Sequence, residues 1–324
     1  MKRRAFITLL GGAAAWPQVA RAQQSAMPVI GLLMPGLPEV STNVAPFRAG
    51  LSQAGYDEGR NVVFEYRWAH GDTARLPELA AELVRRPVNL IATMGSTDAV
   101  SAAKAATARV PIVFVVGVDP VQAGLVASLN RPGGNVTGIT TMSLDLSAKR
   151  FGLLRELMPK AERFALLVNP DNATAEPTIA EVRAAGAGRI EIDVLSARTP
   201  REIDAAFSIL AQKRPDALMI AADSLFSDRR VQLVTLTTLH RLPAIFPFRR
   251  NVEAGGLMSY ASAAYEPQRL TGLYAGRILK GDKPADLPIM RADKFEFVIN
   301  LQTARSLGIE VPVTMLARAD EVIE

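Results

Sequence analysis

The chain has 324 residues and no cysteine, so no disulfide can staple it and no thiolate can act as nucleophile or metal ligand. It has only two histidines, His70 and His240, and zinc would need three or four His, Cys or carboxylate ligands at short spacings. Neither a Gly-x-Gly-x-x-Gly fingerprint nor a Walker loop is present, and no serine sits in a G-x-S-x-G turn to accompany His70. His240 falls in a helical stretch, 235–241, and reads as a surface residue. These gaps leave catalysis poorly supplied: the expectation is a protein that is not an enzyme, with no cofactor and no metal. A hydrolase using His70 is the weakest alternative.

Positive charge is also scarcer than it looks. The full chain carries 37 basic against 32 acidic residues, a net +5. Residues 1–22 hold Lys2, Arg3, Arg4 and Arg21 and no acid, so without them 33 basic residues face 32 acidic ones. No basic run remains to track a phosphate backbone, so nucleic acid is not an expected partner.

Those first 22 residues have the make-up of an export signal. Lys2-Arg3-Arg4 is a charged start, 5–15 is an apolar stretch, and Ala20-Arg21-Ala22 supplies small residues for cleavage before Gln23. The apolar stretch is too short for a bilayer, which needs roughly 20 residues. Arg3-Arg4-Ala5-Phe6-Ile7 fits a twin-arginine pattern, and an ordinary secretory signal fits as well. With no cysteine for a lipid anchor and no later long apolar run, no stable membrane attachment is expected. The compartment this implies is the periplasm.

Beyond the leader, strand and helix patterns alternate from end to end. Short apolar runs at 29–34, 62–68, 88–94, 112–116 and 136–140 read as parallel strands, with helical spacing at 43–54 and 76–85 between them. The pattern restarts with a helix at 146–157. Strands follow at 164–168, 190–195, 217–221, 244–246, 257–260 and 295–299, with helices at 177–185, 201–212, 231–239 and 268–279. Two successive βα arrays predict an α/β fold: two doubly wound parallel-sheet lobes joined by a hinge. Ligands of such sheets bind beyond the carboxyl ends of the strands, so two facing lobes would share one cleft.

The strand-end loops suit a small zwitterion. Ser96 and Thr97 stand where a strand passes into a helix, so free N–H groups and two hydroxyls could hold a carboxylate. Asp119 and Asp223 each follow an apolar strand and could meet an ammonium group. Each of the four could equally cap the next helix or turn. Trp68, Phe226, Phe248 and Tyr260 lie near the same edges, either enclosing a ligand's apolar part or serving as plain core. Arg249 becomes the carboxylate partner if the ligand lacks an amine, because unpaired buried aspartates would then be costly.

Several blocks carry a family resemblance. Phe47-Arg48-Ala49-Gly50-Leu51, Glu65-Tyr66-Arg67-Trp68-Ala69, Asp119-Pro120-Val121 and Arg131-Pro132-Gly133-Gly134-Asn135-Val136-Thr137-Gly138 form the first half. Ala254-Gly255-Gly256-Leu257-Met258-Ser259-Tyr260, Gly276-Arg277-Ile278-Leu279-Lys280-Gly281 and Lys294-Phe295-Glu296-Phe297-Val298-Ile299-Asn300-Leu301 continue it. In order, these resemble the tryptophan/tyrosine-binding group of ABC transporter substrate-binding proteins. The resemblance implies a type I periplasmic binding fold, with a first lobe of 28–139 plus 245–280 and a second of 140–244 plus 281–324. It implies pocket loops at Ser96-Thr97, Asp119 and Asp223, and delivery of a small aromatic or amino-acid-like ligand to an ABC permease with a separate cytoplasmic ATPase. A sensor that presents its closed form to a signalling receptor would use the same cleft. Ala261, Pro267-Gln268-Arg269 and Arg291-Ala292-Asp293 depart from the group's usual pattern, which touches ligand identity more than fold.

Overall fold

A computed structural model describes residues 27–324 apart from Val40, Asp145, Arg189 and Ala264. The export-signal assignment at 1–22 lies outside the described residues.

The first array forms β1 (Val29–Met34), α1 (Val44–Gln53), β2 (Val63–Trp68), α2 (Leu76–Arg85), β3 (Leu90–Met94), α3 (Thr97–Ala106), β4 (Ile112–Val116) and β5 (Val136–Thr140). The chain then crosses over and builds α4 (Ser147–Leu157), β6 (Arg163–Val168), α5 (Ala175–Ala185), β7 (Glu191–Ser196), α6 (Pro200–Lys213) and β8 (Ala217–Ile220). It continues through α7 (Ser224–Asp228), α8 (Arg230–Leu239), β9 (Ala244–Phe246), α9 (Arg249–Glu253) and β10 (Met258–Ser262). A second crossing leads to α10 (Glu266–Leu279) and β11 (Met290–Arg291). A third leads to β12 (Phe295–Asn300), α11 (Leu301–Leu307), α12 (Val313–Leu316) and β13 (Glu321–Ile323).

Pairing sorts these into two sheets, β11-β5-β4-β3-β1-β2 and β13-β12-β10-β9-β8-β6-β7. All pairs are parallel except β10 with β12. Strands buried on both faces need apolar residues at consecutive positions, and Ile112-Val113-Phe114-Val115-Val116 meets that need. Ile112, Phe114 and Val116 join the core on one face of the first sheet, while Val113 and Val115 join the core on the other. The second sheet is sandwiched in the same way.

The segment 245–280 is not one block of the first lobe. β9 and β10 belong to the second sheet, and only α10 of that stretch packs on the first lobe. The reason is local: β9 follows β8 through α7 and α8, and such a crossover returns the chain beside its own strand, pairing Leu218 with Ala244. The 281–324 assignment changes too, because β11 pairs with β5 in the first sheet.

Two glycines set how closely α10 approaches α1. A Cβ on Gly50 would lie 1.8 Å from the Arg269 carbonyl oxygen, and one on Gly272 would lie 2.1 Å from that of Phe47. Both obstacles are backbone, so the helices touch only because these positions have no side chain.

The three crossings lie side by side between the lobes. Ala263 N–H donates to the Lys294 carbonyl at 2.8 Å, and Ala292 N–H donates to that of Thr140 at 2.8 Å. Arg150, fully buried, donates from Nε to the Tyr260 carbonyl at 2.7 Å and from Nη1 to that of Ser143 at 3.3 Å, strapping the first crossing to β10. Burial lowers its guanidinium to about 10. Met142 and Tyr265, one on each of the first two crossings, hold left-handed φ values of 45° and 67°. Such backbone costs on the order of 1–2 kcal/mol per residue and is retained where surrounding structure enforces it.

Candidate functional site

The carboxyl ends of both sheets face each other across a cavity of about 390 Å³, within the size range of small-molecule clefts. Its first-lobe wall is built by the loops after β1, β2, β3 and β4. The second-lobe wall comes from the loops after β6, β7, β8 and β9. After β2 the chain turns through His70 and Gly71, both left-handed at φ 55° and 84°. After β3, Gly95 takes φ 90°, which lets the chain enter α3 directly.

Five of the nine residues expected at the site line the cavity: Trp68, Ser96, Thr97, Asp223 and Phe248. Trp68 stacks on Tyr66, with ring centroids 6.3 Å apart and planes 5° from parallel. Ser96 caps α3, its Oγ accepting from the Ala99 N–H at 3.2 Å.

Asp223 is 7 % exposed and saturated. Its Oδ1 accepts from Asn169 Nδ2 at 3.2 Å and from the Leu225 N–H at 2.8 Å, and its Oδ2 accepts from Asn172 Nδ2 at 2.8 Å. Burial raises its carboxyl above the ordinary range, and those donors pull it back. It caps α7 and ties the loop after β6 to the loop after β8.

The other four expected residues lie elsewhere. Asp119 is used up in its own turn, Oδ1 accepting from Val121 N–H at 2.8 Å and Gln122 N–H at 3.2 Å. Phe226, 1 % exposed, points from α7 into the second-lobe core, because a helix in that loop turns one apolar face inward. Tyr260 stacks on Phe295 at 6.0 Å and packs on the second-lobe core rather than in the cleft. Arg249 turns away toward three glutamates, at 2.7 Å from Glu253, 3.7 Å from Glu296 and 2.7 Å from Glu321. Their bonds and charges, Glu253 foremost, hold it more firmly protonated.

Seven charged residues on the walls were not anticipated: Asp72, Asp98, Asp171, Arg198, Asp228, Arg229 and Arg250. Arg250 follows Arg249 in α9 and so is turned by about 100° around the helix to a different side, which helical spacing would have indicated had 249–253 been read as a helix. Its guanidinium lies 4.3 Å from the Phe248 ring centroid, and burial lowers it to about 10.

Two contacts join the lobes at the lip of the cleft. Arg250 Nη1 donates to Thr42 Oγ1 at 2.6 Å, and Asp228 Oδ2 accepts the Leu37 N–H at 3.0 Å. A Cβ on Gly36 would stand 2.2 Å from Asp228 Oδ2, so glycine is required for this approach. The cleft is therefore closed, with charged second-lobe groups bonded to the first lobe.

Two parallel-sheet lobes, three crossings and a closed interlobe cavity define a two-lobed ligand-binding protein of the type I periplasmic class. The chain belongs to the ABC transporter substrate binding protein family, which it matches over residues 37–323. It is 28% identical over 270 residues to the tyrosine-binding protein of Clostridioides difficile (strain R20291), covering 82% of this chain and 76% of that one. The crystal structure of a conserved domain protein from Vibrio cholerae superposes with a TM-score of 0.83 at 26% identity, covering 92% of this chain and 100% of that one. An ABC domain from Streptococcus pneumonia in complex with L-Trp gives 0.81 at 24% identity with the same coverage, a likeness of fold.

Within that family the chain is the substrate-binding component of an ABC transporter, and its ligand is a small molecule. Among the described residues no helix is long and apolar enough to cross a membrane.

Proposed function

We infer that the protein is a non-catalytic periplasmic receptor that captures an aromatic amino acid, or a closely related aromatic carboxylate, and presents it to an ABC permease driven by a separate ATPase. The observation that carries this is the closed cavity itself. Trp68 and Phe248 offer flat apolar surface from opposite lobes, and charged groups of both signs line the same space. The tyrosine-binding relative and the L-Trp complex support the same ligand class. The comparisons lend the sensory alternative no support. Ser96, Thr97 and Asp223 enter as wall residues of the cleft, Asp223 through the loops it holds.

Closure follows from differential contact. The Leu37–Asp228 and Thr42–Arg250 bonds exist only when the lobes meet, and a ligand touching both walls adds to them, shifting the population toward the closed form. The closed form is then what a permease would recognise.

Residues 23–324 contain a single tryptophan, Trp68, on the cavity wall, so its fluorescence reports occupancy directly. Tyrosine, tryptophan and phenylalanine, tested with amine-free aromatic acids and D-sugars, should change that fluorescence and raise the melting temperature. Ligand at about 100 times its Kd should stabilise by roughly 2.7 kcal/mol. A response to sugars alone would overturn the aromatic reading. Response to amine-free acids alone would keep the receptor and change its ligand.

A further inference from the structure

The geometry points to a receptor that reads its ligand as a dipole laid across the cleft, ammonium against Asp98 of the first lobe and carboxylate against Arg229 and Arg250 of the second. This rests on the receptor reading above and assigns the two ends of its ligand.

The assignment comes from asking which wall charges are already answered. Asp223 is saturated by Asn169, Asn172 and the Leu225 N–H. Asp171 pairs with Arg198 at 3.0 Å, and Asp72 accepts from the Ala74 N–H at 3.1 Å. Asp228 takes the Leu37 N–H. Three groups are left over. Among the described residues Asp98 has neither hydrogen bond nor ion pair, and burial without a partner raises its carboxyl above the ordinary range. Among the described residues Arg229 has no carboxylate within ion-pair distance, the adjacent Asp228 acting on it from farther away, and its Nε is buried without a partner. Among the described residues Arg250 hydrogen-bonds the neutral Thr42 hydroxyl, feels Asp228 and Glu253 from beyond ion-pair distance, and keeps its buried Nε unpartnered.

Partly desolvated charge without a counter-charge is unfavourable unless a ligand supplies one. Here the acid without a partner stands on the first-lobe wall, while the second-lobe wall balances Asp171, Asp223 and Asp228 against Arg198, Arg229 and Arg250 but leaves guanidinium donors of Arg229 and Arg250 unbonded. A zwitterion answers both, and only when the lobes are together, so its charges favour closure as well as binding.

This polarity is opposite to the one expected from Ser96-Thr97. The Ser96 hydroxyl is committed to its cap, and Asp98 stands in the first turn of α3 beside any group bound there. A carboxylate placed there would face Asp98, whereas an ammonium group would not be repelled.

The test is calorimetric titration of the purified protein with L-tyrosine, tyramine (no carboxylate) and 3-(4-hydroxyphenyl)propionate (no ammonium). The wild type should prefer tyrosine to each analogue by roughly 30-fold or more, the scale of a truncated buried charge pair. Arg229→Gln should collapse the preference over tyramine and leave that over the propionate. Asp98→Asn should do the reverse. Arg229→Lys, which keeps the charge, should retain most of the tyramine penalty, and Arg250→Gln, which should also collapse it, stands in for Arg229→Gln if that variant fails to fold. Exchanged responses, or ratios untouched by any of these substitutions, overturn the polarity while leaving the receptor reading in place. A wild type that binds no aromatic amino acid overturns both.

Discussion

Replacing Asp223 separates a scaffold role from direct ligand contact. In Asp223→Ala, α7 loses its cap at Leu225, a change that costs about 1 kcal/mol. Asn169 and Asn172 lose an acceptor at 3.2 and 2.8 Å, and an amide left short of a partner costs about 1 kcal/mol. Asn172 keeps the Ala222 carbonyl at 3.3 Å, and removing a buried carboxylate relieves its desolvation, so the sum is reduced. A net loss of about 2 kcal/mol should lower the ligand-free melting temperature by roughly 3–6 °C in a chain of this size. Asp223→Asn keeps a good capping residue and one acceptor oxygen. It should melt close to wild type and bind ligand within a few-fold of it. Differential scanning calorimetry without ligand, followed by titration with tyrosine, reads both. If Asp223→Asn melts normally yet loses ligand affinity by roughly 30-fold or more, the charge meets the ligand directly and the scaffold account is wrong.

Three further substitutions test the rest of the site. Asp228→Ala removes the bond to the Leu37 N–H, so ligand affinity should fall roughly tenfold or more with little change in ligand-free melting, and the liganded protein should be less compact by small-angle scattering. Unchanged affinity would show that this bond does not hold the closed form. Phe226→Ala should cost about 3–5 kcal/mol of stability in urea unfolding, as for a buried aromatic. Arg249→Ala should leave ligand affinity as it was, because its guanidinium faces glutamates outside the cleft; a large affinity loss there would return Arg249 to the site. The Asp98 carboxyl is raised by burial, so its stabilising contribution is full below the unfolded pKa of about 3.9 and is lost as pH rises through the raised value. Relative to wild type, Asp98→Asn should therefore gain stability between pH 4 and pH 7 in urea titrations. A difference independent of pH would mean that Asp98 is not desolvated.

Apolar periodicity is a property of neighbours along the chain, and it was enough for the two α/β arrays. A short apolar run such as 112–116, bounded by Pro111 and Gly117, fits a strand covered on both faces, and Gly95 before Ser96 marks a strand passing into a capped helix. The expectation of an export signal at 1–22 rests likewise on local composition and length. Even the cleft loops could be named, because parallel strands place their carboxyl ends together. Trp68, Ser96, Thr97, Asp223 and Phe248 followed from that.

Which side chains face the cleft depended on tertiary structure. Arg249 and Arg250 are adjacent and identical, and the single helical turn of α9 sends one to three glutamates and the other across the lobes to Thr42. Asp119 and Asp223 both follow strands, yet one closes its own turn while the other gathers two asparagines from 50 or more residues away. The lobe boundary at 245–262 moved because β9 and β10 pair with strands that no local pattern identifies. Local sequence determines the element and its buried face. The partner of a charge is decided by whichever distant groups the fold brings within hydrogen-bond reach, and that information exists only once the sheets have paired and the lobes have met.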